Sequence, residues 1–329
     1  MLFTSYQFIL FVLVALILYY VVPKRIQWIV LLCMNMLFYV YAGLSGIIFI
    51  VTTIVTTYAG ARLIYREKDR SVRFIEEHKC DISRDEKKKL KNISLRKQKM
   101  FLTIVLFINF GILAVLKYTN MFIVTFTTFN TVDFVLPMGI SFYTFQIISY
   151  IIDVYNGKVN VQKNIIKLAT YVSLFPQLVA GPIVRYQTVE KELDNRVHSF
   201  NNFAYGIRRF SIGLAKKVLI ANALGELCSK ASATSEETVV FFWIFGISYI
   251  LQLYFDFSAY SDMAIGLGRI FEFHFPENFN YPYISKSITE FWRRWHISLS
   301  TWFKDYVYIP LGGNRVSRYK QIRNILIVW

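Results

Sequence analysis

The sequence is poor in charge and in cysteine, and each shortage excludes a class of protein. Only 18% of its 329 residues are charged, where a soluble domain carries about a quarter, and the charges are bunched rather than spread. A soluble globular fold is excluded on that ground. The three cysteines, Cys33, Cys80 and Cys228, show no CxxC or CxxH spacing, so they supply neither a disulfide framework nor a zinc site. The serine-hydrolase elbow GxSxG, the zinc motif HExxH and the dinucleotide fingerprint GxGxxG are all missing. No internal repeat suggests the inverted symmetry of a transporter. No low-complexity linker divides the chain, so a single domain over 1–329 is expected. The stretch from Met1 to Val22 has no basic n-region and no small-residue cleavage site, and it reads as a retained first span rather than a cleaved signal.

What is present is apolar. Hydrophobic residues make up 55% of the chain, aromatics 18%, and the mean hydropathy is +0.41. Long apolar runs of about 20 residues are the signature of membrane crossing. The pattern predicts spans over Tyr6–Val22, Ile26–Ala42, Gly46–Ile64 and Phe101–Leu116, with Pro23, Lys24 and Arg25 closing the first. Lys and Arg number 37 against 21 Asp and Glu, a formal charge of +16. Between Arg62 and Lys99 there are 14 basic and 7 acidic residues. Basic loops between apolar spans follow the positive-inside rule, so this excess calls for no nucleic-acid partner. The rule keeps the Lys24–Arg25 loop and loop 62–99 in the cytoplasm and puts the N-terminus outside. The fold class expected is an all-α multi-pass protein of the cell membrane, its partner the lipid bilayer, with N-terminal spans in 1–117 and a polar-bearing core in 134–329.

That core is where broken, polar-studded apolar segments occur, which membranes tolerate only inside protein or beside a wet cavity. Pro137, Gly139, Gln146 and Asp153 interrupt one, and Pro176, Gln177, Gly181 and Pro182 another; Arg208, Arg209, Lys216 and Lys217 interrupt a third. In the run Val239–Ile270, helical spacing stacks Gln252, Asp256 and Tyr260 on one face, and Ser258 and Asp262 on another. Carboxylates at membrane depth mark function by default; the alternative is that each Asp caps a helix or pairs with a buried cation. Downstream, Phe291, Trp295, Leu299, Trp302 and Tyr306 form an aromatic stripe that predicts one amphipathic interfacial helix. Glu290 precedes Arg293 and Arg294 by three and four residues, the favourable order for helix ion pairs. His296 lies within this stretch, with Ser300 one turn on. Of the four histidines it alone sits among residues expected to be buried in protein. It could act as a base on a hydroxyl or thiol, or serve only as an interface anchor. Gly312-Gly313-Asn314 signals a tight turn; Arg315 follows it without P-loop spacing.

Several of these stretches resemble the membrane-bound O-acyltransferase (MBOAT) family, in its bacterial alginate O-acetylation (AlgI-like) branch. They are Tyr254-Phe-Asp-Phe-Ser-Ala-Tyr-Ser-Asp-Met-Ala-Ile-Gly-Leu-Gly268, Phe275-Pro-Glu-Asn-Phe-Asn-Tyr-Pro-Tyr283, Phe291-Trp-Arg-Arg-Trp-His-Ile-Ser-Leu-Ser300 and Tyr308-Ile-Pro-Leu-Gly-Gly-Asn-Arg315. Upstream, Leu136–Phe145, Tyr150–Tyr155 and Phe175–Ile183 are also similar. The resemblance implies a ring of tilted transmembrane helices with interfacial amphipathic helices. It maps the tryptophan-flanked histidine onto His296 and makes Asp256, Tyr260, Asp262 and Ser300 candidates for a polar interior. Arg293 and Arg294 become candidates for the mouth that receives an anionic donor. It implies acetyl transfer from acetyl-CoA or a similar cytoplasmic acyl thioester, a substrate rather than a bound cofactor, to hydroxyls of an exported polysaccharide, aided by an acetyltransferase partner outside the membrane. No metal is implied. D-alanyl transfer to teichoic acid is the alternative within the family; a transporter or channel with Asp256 and Asp262 on an ion path is the alternative outside it. The family's second histidine, in a Trp-His-Gly pattern, has no counterpart here, and Trp329 falls inside an apolar run, so a C-terminally truncated chain is expected.

Overall fold

The computed structural model describes residues 3–127, 129–132, 136–178, 181–194, 196–234 and 238–328. Phe134 and Val135 at the start of the expected core, Val179 and Ala180 of the Phe175–Ile183 motif, and Trp329 lie outside the described residues. All regular structure among the described residues is helical. In chain order the helices are α1 (Tyr6–Val21), α2 (Gln27–Ala42), α3 (Ser45–Glu77), α4 (Arg84–Phe126), α5 (Ile140–Asn156), α6 (Ile165–Ser173) and α7 (Phe175–Leu178). There follow α8 (Tyr186–Asp194), α9 (Phe200–Ala215), α10 (Asn222–Ser232), α11 (Val239–Ile270), α12 (Ile288–Arg294), α13 (Ile297–Phe303) and α14 (Arg318–Val328). A π-helical turn, Lys216–Ala221, joins α9 to α10, and another, Lys304–Tyr308, follows α13. Three helices, α3, α4 and α11, are long and apolar enough to cross a membrane; α1 and α2 are shorter apolar helices. The chain is a helical membrane protein.

The residues cluster into two compact units. One comprises residues 31–174 and 185–193. Within it α3 and α4 form an antiparallel hairpin. Ser83 starts α4 through a capping box with Glu86: Ser83 Oγ accepts the Glu86 N–H and Glu86 Oε2 accepts the Ser83 N–H. The charged stretch 62–99 takes in the end of α3, residues 78–83 and the start of α4; the helices carry on past the expected ends of their spans because Lys, Arg, Glu and Leu are good helix formers.

The other unit comprises residues 1–30, 175–184 and 194–329, and holds the candidate site. Its spine is α9 packed on α11 with the two backbones in contact. Gly206, Gly213 and Gly266 make this possible. A Cβ on Gly266 would stand 2.6 Å from Phe210 N and 2.7 Å from Gly206 O, and one on Gly213 would stand 2.8 Å from Ala259 O. Small residues at a membrane helix crossing give this close approach. Gly266→Val is expected to force the helices apart at a cost of about 1–3 kcal/mol or more. Gly246→Ala, on the same helix with nothing within 4 Å, is expected to be neutral or slightly stabilising. Thermal unfolding of the two variants in detergent, followed by size-exclusion chromatography, separates them. The far end of α11 is anchored by α1: Tyr19 Oη donates to Phe271 O at 3.2 Å and Tyr20 Oη to Ile270 O at 2.7 Å.

The single amphipathic helix expected over 290–305 is corrected. It is broken into α12 and α13 at His296, which adopts φ 43°, a left-handed conformation unusual for a residue with a side chain. The break has a tertiary cause. The Asn280 N–H donates to Arg294 O and the Ile297 N–H to Asn278 O, both at 2.9 Å. The segment 278–280 thus takes the backbone groups on either side of His296 out of helical pairing.

Candidate functional site

The local folding that breaks the helix also fixes the histidine. Asn278 is fully buried and His296 is 8% exposed. Asn278 Oδ1 accepts the backbone N–H of Ser298 at 3.3 Å and the Ser298 hydroxyl at 2.9 Å; it lies 3.0 Å from His296 Nδ1. A backbone N–H can only donate, so the atom it meets is the amide oxygen. The ring nitrogen facing that oxygen must therefore carry the proton. This leaves Nε2 with the lone pair, and Nε2 has no hydrogen-bond partner among the described residues. Ser298 is held in turn, its hydroxyl oxygen accepting the Ile183 N–H at 3.0 Å. The Phe257 ring stands edge-on to the imidazole at 4.8 Å.

Burial pushes the His296 imidazole down to about 4, because a desolvated site penalises the charged ring. The fold therefore holds it neutral at physiological pH. Between about 6.5 and about 4 the unfolded chain takes up a proton that the folded chain refuses. This contribution to stability is complete above about pH 6.5 and is lost as the pH falls, by at most about 1.4 kcal/mol per pH unit. Burial lowers His198 as well, in the same sense. The apparent Tm is expected to drop between pH 7 and pH 5, and His296→Gln is expected to flatten part of that slope, measured by thermal unfolding in detergent at both pH values.

Beside this assembly is a cavity of about 510 Å³, lined by polar groups from α9, α11 and segment 277–281. Asp262 lines it. Arg209 Nη2 meets Asp262 Oδ1 at 2.7 Å and Glu277 Oε2 at 2.6 Å; Lys216 Nζ meets Asp262 Oδ2 at 2.6 Å. Ser258 lines the same cavity; its Oγ is buried and unpartnered among the described residues. Phe279, Asn280 and Ile297, neighbours in sequence of Asn278 and His296, line it too.

The candidate residues are distributed as follows. Asp262 lines the cavity. Asp256, one and a half turns back along α11, is bound to Lys217 at 2.5 Å, and Lys217 lies over the Tyr260 ring at 5.4 Å. Ser300 lines a separate, mostly apolar cavity with Trp292 and Phe303. Arg294 is paired with Glu290 at 3.0 Å and donates to Asn280 O, while Arg293 is exposed. Glu290 is held below the usual carboxylate range by the Lys286 N–H and by Arg294. The residues that sequence reasoning missed are Asn278, Ser298 and Glu277. Asn278 and Glu277 sit inside the quoted stretch Phe275–Tyr283, but nothing in their spacing points at a residue 18 positions away.

A helical membrane protein whose buried, neutral histidine is aimed by a carboxamide beside a polar cavity is equipped for proton handling on a hydroxyl or thiol. Residues 161–329 match the model of MBOAT, the membrane-bound O-acyltransferase family, and the chain belongs to that family. It is 46% identical over 244 residues to "Probable alginate O-acetylase AlgI" of Pseudomonas aeruginosa, covering 71% of this chain and 47% of that protein. It is 38% identical over 268 residues to the "Peptidoglycan O-acetyltransferase" of Helicobacter pylori, covering 70% and 50%. It is 33% identical over 177 residues to the "Teichoic acid D-alanyltransferase" of Bacillus subtilis, covering 52% and 45%. The chain spans about half the length of the curated relatives it matches.

Proposed function

We propose that this protein takes part in O-acyl transfer at the cell membrane, moving an acetyl group from a cytoplasmic thioester, acetyl-CoA or a similar donor, to hydroxyls of an exported polysaccharide. The observation that carries the reading is the fixed tautomer of His296, with a proton on Nδ1 and an open lone pair on Nε2. In the reaction the acyl carbon–sulfur bond breaks and a carbon–oxygen bond forms, while the hydroxyl proton ends on the thiol. With the imidazole near 4, charging it fully at pH 7 costs about 4 kcal/mol. His296 therefore acts as a hydrogen-bond acceptor that orients and polarises the hydroxyl rather than as a store for its proton.

The site's depth supports the same reading. Ile270 is tied to Tyr20, close in sequence to Lys24 and Arg25, which the positive-inside rule assigns to the cytoplasm. Asp262 is eight residues back along α11, about 12 Å towards the membrane interior. A donor entering from that side needs to carry only its acyl group into the bilayer. Both aspartates are neutralised by cations, which disfavours an open cation path through them. An extracytoplasmic partner enzyme would complete delivery to the glycan.

The test is mild alkaline release of esters from the envelope and exported glycan of cells with and without the gene. Loss of acetate on deletion supports the reading. Loss of D-alanine moves the substrate to the teichoic-acid branch, and unchanged esters with the protein expressed refute acyl transfer.

A further inference from the structure

The hairpin of α3 and α4 carries a surface that acyl transfer does not use. Along α4, Arg84, Lys88, Lys91, Leu95 and Lys99 follow i, i+4, i+7, i+11, i+15 and so share one helical face. All five are exposed, and no acidic residue of α4 falls on that face. No ion pair is formed by any of the four cations among the described residues, although Lys97, on the opposite side of α4 that meets α3, reaches Glu67 at 3.6 Å. Leu95 supplies an exposed apolar centre. On its other side α4 is tied to α3 by the Ser94 hydroxyl donating to Glu67 O and by the Lys97 pair.

The bilayer itself accounts for only the inner end of this stripe. At 1.5 Å per residue, Arg84 stands roughly 22 Å beyond Lys99 along the helix. Headgroups occupy about 6 Å of that length, and their field fades within a Debye length of about 8 Å. Arg84 and Lys88 lie past it. A nucleic acid fits poorly, because Asp81, Asp85 and Glu86 crowd the same tip and repel a phosphate backbone. A folded protein can offer carboxylates to the stripe and turn away from the tip acids.

We propose that this stripe is a docking surface for an acidic face of a soluble protein on the side of the membrane where basic loops are retained. The partner would present carboxylates to Arg84, Lys88 and Lys91, over about 10 Å of the helix beyond the headgroups. This does not depend on the acyl-transfer reading.

The test places a photo-crosslinking amino acid at Asn92, one turn from Lys88 on the stripe's edge, in the full-length protein in its own cells. Adducts are compared with those of the same protein carrying Arg84→Glu, Lys88→Glu and Lys91→Glu. The expected result is an adduct with a protein whose crosslinked surface is acidic. It should fall at least tenfold on charge reversal, and return when acidic residues at the mapped surface of the partner are changed to lysine. Adducts to lipid or RNA alone, adducts to a neutral or basic protein surface, adducts insensitive to the reversal, or no adduct at all would each overturn the proposal. Equal membrane levels of the parent and reversed proteins keep a folding failure from passing as a result.

Discussion

His296→Ala is expected to lower ester formation on the glycan by about 10²- to 10³-fold, the worth of a hydrogen-bonding group that holds and polarises the attacking hydroxyl. Asn278→Ala is expected to cost on the order of tenfold, because it frees the ring to rotate and to exchange tautomers without removing it. The double variant should be no worse than His296→Ala alone. Asn278 acts through the histidine, and groups that act as a unit do not add. Asn278→Asp adds a second diagnostic. A carboxylate 3.0 Å from Nδ1, where the amide oxygen is now, favours the charged ring, so the imidazole rises from about 4 and the acid limb of the pH profile moves upward. Each variant is assayed as alkali-released acetate per unit of protein in the membrane. Wild-type ester levels in His296→Ala would make the histidine an interface anchor, and Asn278 merely the residue that breaks the helix.

Much of the membrane scaffold was legible because hydrophobic length is a one-dimensional signal. The spans expected over Tyr6–Val22 and Ile26–Ala42 match α1 and α2 to within a residue. The run Val239–Ile270 is α11 as read. Where helix propensity outlasts hydrophobicity, as past Ile64 in α3 and before Phe101 in α4, composition marked the end of the span but not of the helix. The site was legible only in part. The requirement that a buried carboxylate find a partner was visible, and so were the cations at Arg209, Lys216 and Lys217. Their pairing was not. It depends on the α9–α11 crossing and on the π-helical turn beginning at Lys216, neither of which has a periodicity signature. The break at His296 was illegible for a related reason. The aromatic spacing from Phe291 to Tyr306 fits one helix, and it is the distant segment 278–280 that captures the backbone there.

Asp262→Ala is expected to be the most damaging single change to stability. The Asp262 side chain is 8% exposed and holds two cations, whereas the Asp256 side chain is 32% exposed and holds one. Removing the Asp262 carboxylate leaves Arg209 leaning on Glu277 alone and Lys216 unpaired. These two side chains keep 25% and 29% of their surface exposed, so stranding them is expected to cost about 2–3 kcal/mol, below the cost at a fully buried pair. Asp256→Ala strands one cation rather than two; Lys217, 17% exposed, keeps the Tyr260 ring at 5.4 Å, and the change is expected to cost about 1 kcal/mol. In thermal unfolding in detergent the first should lower the apparent Tm by on the order of 10 °C and the second by a few degrees. The decisive comparison is the triple variant Asp262→Leu, Arg209→Leu and Lys216→Leu. If the damage in Asp262→Ala comes from unpaired charge rather than from lost packing, removing these three of the four charged groups should recover much of the stability, because apolar replacements of a buried ion network are often neutral and the fourth, Glu277, is 53% exposed. That variant should fold and still fail in ester formation, since the cavity would keep Ser258, Glu277 and Asn280 but lose its paired charges. A triple variant as unstable as Asp262→Ala would instead assign the loss to packing of the α9–α11 crossing around Asp262, with the charges secondary.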